Sequence, residues 1–135
     1  MKRIIQKIAA PLMCGIFVLA LFRFVLFIGY VPTDSMEPLI KTGSVILGCR
    51  IIGELKPGDV IIFRHEGAFL VKRVAGMPGD QITVRLAQDE SENPLIIPDD
   101  CCFMLGDNGG HSIDSRHWEY PFISGNDIIA IVLGK

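Results

Sequence analysis

Between Ile8 and Val31 the sequence reads IAAPLMCGIFVLALFRFVLFIGYV, 24 residues that carry one charge, Arg23. As a helix rising about 1.5 Å per residue, such a run crosses a hydrocarbon core of roughly 30 Å once. Lys2, Arg3 and Lys7 precede it, whereas Asp34 and Glu37 come soon after it with Lys41 as the near basic residue. The positive-inside rule then keeps the N-terminus cytoplasmic and exports the chain beyond Val31. Arg23 costs about 2.5 to 3.5 kcal/mol at a helix centre on insertion scales, and its place in the outer half lets it snorkel to the headgroups. A removable secretory signal also begins with basic residues, but its apolar region is about 7 to 15 residues long and ends in small residues. No such pattern comes after Leu19. The sequence therefore divides into a cytoplasmic N-terminus (1–7), a transmembrane helix (8–31) and an extracytoplasmic domain (32–135).

Charge supports that division. The first 31 residues hold four cations and no acid, which leaves 9 basic residues in the rest of the chain against all 15 acidic ones. A net acidic domain lacks the basic face that phosphate binding needs, so nucleic acid is excluded as the partner and a lipid bilayer is favoured. With 50% hydrophobic residues the chain is also too apolar to be disordered.

The exported part reads as strand. SVILGC (44–49), DVIIFR (59–64), AFLVKRVA (68–75), QITVRL (81–86), CCFML (101–105) and DIIAIVL (127–133) are short β-branched and aromatic runs. KPGD, HEGA, GMPGD, IPDD and GDNGG stand between them with turn chemistry, and QDESEN (88–93) reads as a solvated loop. The expected fold is all-β, a mainly antiparallel barrel or sandwich-like domain behind one N-terminal transmembrane helix. Cys14 lies in the apolar run as a small apolar residue. Cys49, Cys101 and Cys102 are open to two readings, buried thiols or one disulfide from Cys49 to either of the adjacent pair. Cys101 and Cys102 lack the spacing of zinc ligands.

Three stretches hold residues with chemistry. In VPTDSMEPLI (31–40) Ser35 stands just past the apolar run between Pro32 and Pro38, a pattern that also suits an ordinary turn. In FLVKRVAGMPGD (69–80) alternation puts Leu70, Lys72 and Val74 on one face and Phe69, Val71 and Arg73 on the other. This is either an edge strand guarded by cations or a strand that desolvates Lys72, whose neutral amine would then be a base. In GDNGGHSIDSRHW (106–118) Asp114 and Arg116 can pair and the Ser112 hydroxyl can orient an amine, although a surface loop has the same composition.

Taken together these stretches resemble the bacterial type I signal peptidases, membrane-anchored serine proteases with a Ser/Lys dyad. SMEP (35–38) matches the SMxP box, KRVAGMPGD (72–80) the lysine box, and GDVIIF (58–63), GDN (106–108) and SIDSR (112–116) fall in order with the family's spacing. The resemblance implies Ser35 as nucleophile, Lys72 as general base, and the Ser35 backbone NH with the Thr33 side chain as oxyanion hole. It implies that Ser112 holds the Lys72 amine, that Asp114 and Arg116 brace the loop, and that Val31, Pro32, Phe69, Leu70 and Val71 clasp an extended substrate. It implies no metal and no cofactor. The partners it implies are exported preproteins, the lipid bilayer and the translocation machinery, and the location is the bacterial cytoplasmic membrane. Leu39 and Gly109 stand where the family commonly has Thr and Arg, so GGH (109–111) is a local departure. About twenty residues between Asp80 and Cys101 leave no room for the large β-domain inserted in some relatives.

Rival functions fit the same residues. His65, His111 and His117 could supply a Ser/His/Asp triad, with His111 next to Ser112. Within the family, a specialised processor of pilin or conjugation precursors carries the same boxes. A catalytically silent module that captures extended peptides is the rival from another class. Trp118, Tyr120 and Phe122 suit an interfacial aromatic anchor or core packing equally.

Overall fold

The computed structural model describes residues 2–87 and 94–134, so the expected solvated loop at 88–93 lies outside the described residues. One helix, α1 (Lys2–Phe24), leads into β1 (Leu26–Tyr30). Its stretch from Lys7 to Phe24 has a mean hydropathy of 1.8 and buries none of its residues in the protein. Eighteen residues at about 1.5 Å each reach roughly 27 Å, close to a hydrocarbon core.

The helix ends seven residues before the Val31 boundary expected from hydropathy. Leu26 to Tyr30 instead pair antiparallel with β2 (Val45–Cys49), Leu26 opposite Cys49 and Tyr30 opposite Val45. An apolar run looks alike in a helix and in a strand, and only the pairing decides. Arg23 consequently occupies the last helical turn, where a cation suits the helix C-terminus, with its guanidinium 5.4 Å from the centre of the Phe24 ring.

The domain is antiparallel β as expected. β3 (Val60–His65), β4 (Ala68–Gly76), β7 (Cys101–Leu105), β8 (Phe122–Ser124) and β9 (Ile128–Val132) join β1 and β2 in one sheet of order β1-β2-β9-β3-β4-β7-β8. β5 (Gln81–Ile82) and β6 (Leu95–Ile96) form a separate ribbon, so the expected 81–86 strand is reduced to its first two residues. β3 and β4 turn through Glu66 and Gly67, whose φ values of 48° and 82° are those a two-residue hairpin turn of type I′ needs.

β3 is apolar on both faces, and a core lies on each side of it. Val60 and Ile62 join Ile46, Ala130 and Val132 under a lid of Val31, Met36 and Ile40, while Ile61 and Phe63 join Val74, Cys102, Met104 and Ile123. The lid is the segment that carries Ser35. Trp118 packs on the second core, edge-on to Phe63 at 6.0 Å, and Phe122 is edge-on to Phe103, whereas Tyr120 is exposed. The four cysteines are free thiols. Three strands separate Cys49 on β2 from the β7 cysteines. The four inter-strand spacings between them, at roughly 4.8 Å each, make about 19 Å along the sheet, well past the roughly 7 Å limit between Cα atoms of a disulfide.

Candidate active site

Lys72 lies mid-way along β4, opposite Ile61 of β3. β4 sits between β3 and β7, so the edge-strand reading of its cations does not hold. Interior placement leaves Lys72 4% exposed, and its aliphatic stem shares a face with Leu70 and Val74. Burial disfavours the ammonium form and lowers the Lys72 pKa from its ordinary value, against the opposing pull of the Asp114 and Asp34 carboxylates. The next residue, Arg73, points the other way and forms a fork on Asp107, Nε to Oδ1 and Nη2 to Oδ2 both at 2.7 Å.

Ser35 is brought to this amine by packing rather than by regular structure. After β1 the chain is tied by Val31 N to Ser44 O at 2.9 Å and Gly43 N to Val31 O at 2.8 Å. The segment then coils through Glu37 N to Asp34 O and Ile40 N to Met36 O, both at 2.9 Å. Met36 and Ile40 are plugged into the first core, at 0% and 1% exposure, which fixes the intervening backbone. Lys72 Nζ donates to Ser35 Oγ at 2.6 Å, and Thr33 Oγ1 lies 3.5 Å from the same oxygen. Among the described residues no histidine bonds Ser35 Oγ: His111 pairs with Asp34, His117 lies against Asp114, and His65 stacks on Trp118 with ring centres 4.1 Å apart. A serine held by an amine has the geometry of a nucleophile with its base.

The loop after β7 forms the floor. Asp114 is fully buried and takes a fork from Arg116, Nε to Oδ1 at 2.9 Å and Nη2 to Oδ2 at 2.8 Å, while Gly106 N donates to Oδ2 at 3.0 Å. Burial pushes the Asp114 pKa up, but the Arg116 guanidinium and the Gly106 NH outweigh it and hold the carboxyl at about 2. Arg116 also reaches Gly109 O at 3.2 Å, and Asn108 N donates to Ser35 O at 3.0 Å, so the loop grips the nucleophile segment. Ser112 is buried in this cluster at 4% exposure beside the Asp114 carboxylate, whose charge it helps to hold, and its hydroxyl makes no close hydrogen bond among the described residues. The bond expected from Ser112 to the Lys72 amine is therefore not made. The Gly106 backbone packs directly against the Ser112 side chain, and the amine is given to Ser35 instead.

The buried carboxylate sets an expectation for stability. Asp114→Asn should cost about 3 kcal/mol at neutral pH, the low end for a broken buried ion pair because Arg116 keeps some access to water. A folded-state pKa of about 2 against an ordinary 3.8 means that the contribution is complete above pH 4 and is lost as pH falls toward 2. The gap between wild type and variant in denaturant melts should therefore close over that interval, and a gap unchanged from pH 7 to pH 2 would refute the assignment.

Two clefts meet at the dyad. A crevice of about 90 Å³ is lined by Val31, Pro32, Phe69, Leu70 and Val71, the five expected clasping residues, together with Tyr30 and Met36. A wider cleft of about 400 Å³ opens beside Lys72 between His65, Leu70, His111, Ile113 and Trp118. Met36 lies in the SMEP box and Asn108 in the GDN box, although the sequence assigned neither a role, and nothing local marks Tyr30 or Asp34.

The family profile described as signal peptidase, peptidase S26, matches residues 4–90 and 85–133. The chain is similar to a probable signal peptidase I-2 of Synechocystis, at 27% identity over 67% of this chain and 55% of that protein. It is similar to signal peptidase I S of Bacillus subtilis, at 26% identity over 86% of this chain and 80% of the relative. It is also similar to signal peptidase I of Bacillus caldolyticus, at 28% identity over 90% of this chain and 86% of the relative.

Proposed function

The chain belongs to the signal peptidase family, peptidase S26, whose members are serine endopeptidases, and from that premise we propose that it is a membrane-anchored endopeptidase that removes signal peptides from exported preproteins. The observation that carries this reading is the 2.6 Å contact between two buried groups, Lys72 Nζ and Ser35 Oγ. Neutral Lys72 takes the Ser35 proton as the oxygen attacks the scissile carbonyl. The developing oxyanion is met by the Ser35 NH and the Thr33 hydroxyl, fixed donors of the kind that lower such barriers by a few kcal/mol. The Lys72 ammonium then gives its proton to the departing amine, and the acyl group remains on Ser35. Water then gives a proton to Lys72 as its oxygen bonds to the acyl carbon, and Lys72 returns that proton to Ser35 Oγ as the ester bond breaks and the carboxylic acid leaves. Asp114 and Arg116 hold the loop that grips Ser35 from below. No metal or cofactor takes part.

The apolar helix supports anchoring in the bacterial cytoplasmic membrane with Lys2, Arg3 and Lys7 on the cytoplasmic side. Phe24 and Leu26 then bring the site close to the outer surface, where a precursor leaving the translocation machinery still has its own apolar signal in the bilayer. An extended substrate lies between the Val31–Pro32 segment and β4, and its backbone adds to strand-like pairing. The 90 Å³ crevice beside Ser35 suits small side chains.

The test is a precursor with Ala at the third and first positions before the cut, incubated with the full chain in detergent and read by mass spectrometry. One cut after the second Ala is expected, and Leu in that position should slow it by about 100-fold or more, since even single methylenes in a fitted pocket are worth roughly 10- to 200-fold. Equal rates for Ala and Leu would overturn the small-residue crevice. Binding of the precursor without any cut would overturn the endopeptidase in favour of the silent capture module.

A further inference from the structure

The segment 109–111 departs from the family's usual sequence, and it makes a contact that no motif accounts for. His111 Nδ1 lies 2.7 Å from Asp34 Oδ2, joining residues 77 positions apart. Asp34 stands between the oxyanion donor Thr33 and the nucleophile Ser35. Its carbonyl is also held from the same loop, by Asn108 Nδ2 at 3.2 Å, and Asn108 N takes the Ser35 carbonyl at 3.0 Å. The loop in turn is anchored to the buried Asp114 through Gly106 N and Arg116. Asn108 thus grips the two successive carbonyls that flank Ser35, that of the Asp34–Ser35 peptide and that of the next, while His111 grips the Asp34 side chain. We propose that His111 is a positioning residue: through Asp34 it fixes the peptide that carries the Ser35 nucleophile and its NH donor.

The pair is exposed, with the His111 side chain at 68% and that of Asp34 at 42%. An ion pair in that setting adds little to global stability. Its effect is local. Thr33 Oγ1 is 3.5 Å from Ser35 Oγ, too far for a strong hydrogen bond, so it does little to fix the serine rotamer. Val31 and Met36 hold the segment in the core at either side, and at Asp34 between them the contacts to the rest of the chain come, among the described residues, from the loop. An offset of about 1 Å in a reacting group can cost on the order of 100-fold in rate. A second consequence is electrostatic. The Asp34 carboxylate favours the Lys72 ammonium, and the His111 bond holds that carboxyl below its usual pKa. The other charged or titratable groups facing this corner are Asp114 and Arg116 from the loop and His65 and Glu66 across the wide cleft.

This inference rests on the endopeptidase reading, and the test separates the two. In the full chain in detergent, His111→Ala and Asp34→Ala should each lower kcat by about tenfold with KM within about twofold, and the double variant should be no worse than either alone. His111→Asn places an amide NH where Nδ1 was and should recover most of the rate. Asp34→Asn should move the rise of rate with pH to lower pH, because the Lys72 amine loses a carboxylate that favours its charged form. Hydrogen exchange of the peptide 31–40 should quicken in His111→Ala and return to normal in His111→Asn, with melting temperatures unchanged. Unaltered exchange, a loss confined to KM, or additive losses in the double variant would overturn the positioning role. Quickened exchange together with full activity of Ser35→Ala would keep the strap and overturn the endopeptidase reading.

Discussion

A chain carrying Lys72→Met is expected to cleave its precursor about 10³-fold or more slowly than the wild type and to unfold at the same or a higher temperature. The rate loss stems from the geometry. Ser35 Oγ has Lys72 Nζ at 2.6 Å as its base and no histidine to replace it among the described residues. General acid–base catalysis by a placed side chain is worth about 10² to 10⁴. Ser35→Ala should lose as much, and the pair of substitutions no more, since the two groups act as a unit. Stability moves the other way because of burial. The folded-state pKa of Lys72 lies below its ordinary 10.5, so the unfolded chain binds more protons and folding is penalised as pH falls through that interval. Methionine fills similar volume with nothing to desolvate.

The same pKa direction fixes the pH profile. Only the neutral amine accepts the Ser35 proton, so kcat/KM should climb with pH and level off once Lys72 is neutral, below the range of a free lysine. A rate independent of pH from 5 to 9, or a Lys72→Met chain that keeps more than about 1% of the wild-type rate, would remove the lysine from its role.

Legibility in the sequence depends on how local the cause is. Period-two alternation put Lys72 with Leu70 and Val74, and the structure has Lys72 and Val74 buried and Leu70 partly buried on that face. β7 begins and ends where its apolar run does, at Cys101 and Leu105, because turn residues bound it on both sides. Hydropathy failed at residues 25–31, where a membrane helix and a paired strand share one composition and β2, some twenty residues later, decides between them. QITVRL failed for the converse reason: the ribbon stops at Ile82, and although Thr83 to Leu86 have strand propensity, Thr83 to Arg85 are not strand and Leu86 makes only an isolated bridge. In the site, Ser35, Lys72, Asp114 and Arg116 are recognisable from their boxes. Ser112 lies in the cluster without its expected bond, since the sequence says which residues meet and not which of several donors wins. The His111–Asp34 contact was beyond reach, because no pattern links two exposed residues from different loops.

Gly106→Ala should be the most damaging change of a single methyl group in the domain, with kcat down about 100-fold or more and about 1 to 3 kcal/mol of stability lost to overpacking. A Cβ on Gly106 would collide with the Ser112 side chain and stand 2.6 Å from the Ser35 carbonyl oxygen. Ser112 can turn away, whereas the Ser35 carbonyl is backbone and is held in place by Asn108 N at 3.0 Å. Relief therefore comes only from moving the Ser35 peptide or the Gly106 peptide. The first shifts the nucleophile and its NH donor from the substrate carbonyl, and the second withdraws the Gly106 NH from the buried Asp114 carboxylate. Gly110 gives the control in the same loop, since a Cβ there meets nothing within 4 Å. Gly110→Ala should therefore leave rate and melting temperature near those of wild type. Because both substitutions add one methyl group to one loop, a Gly106→Ala chain as active as Gly110→Ala would mean that Ser35 is not held against this loop at all. A loss of stability with kcat intact would assign Gly106 to packing alone, and the expected loss of both ties the loop backbone to the reacting serine.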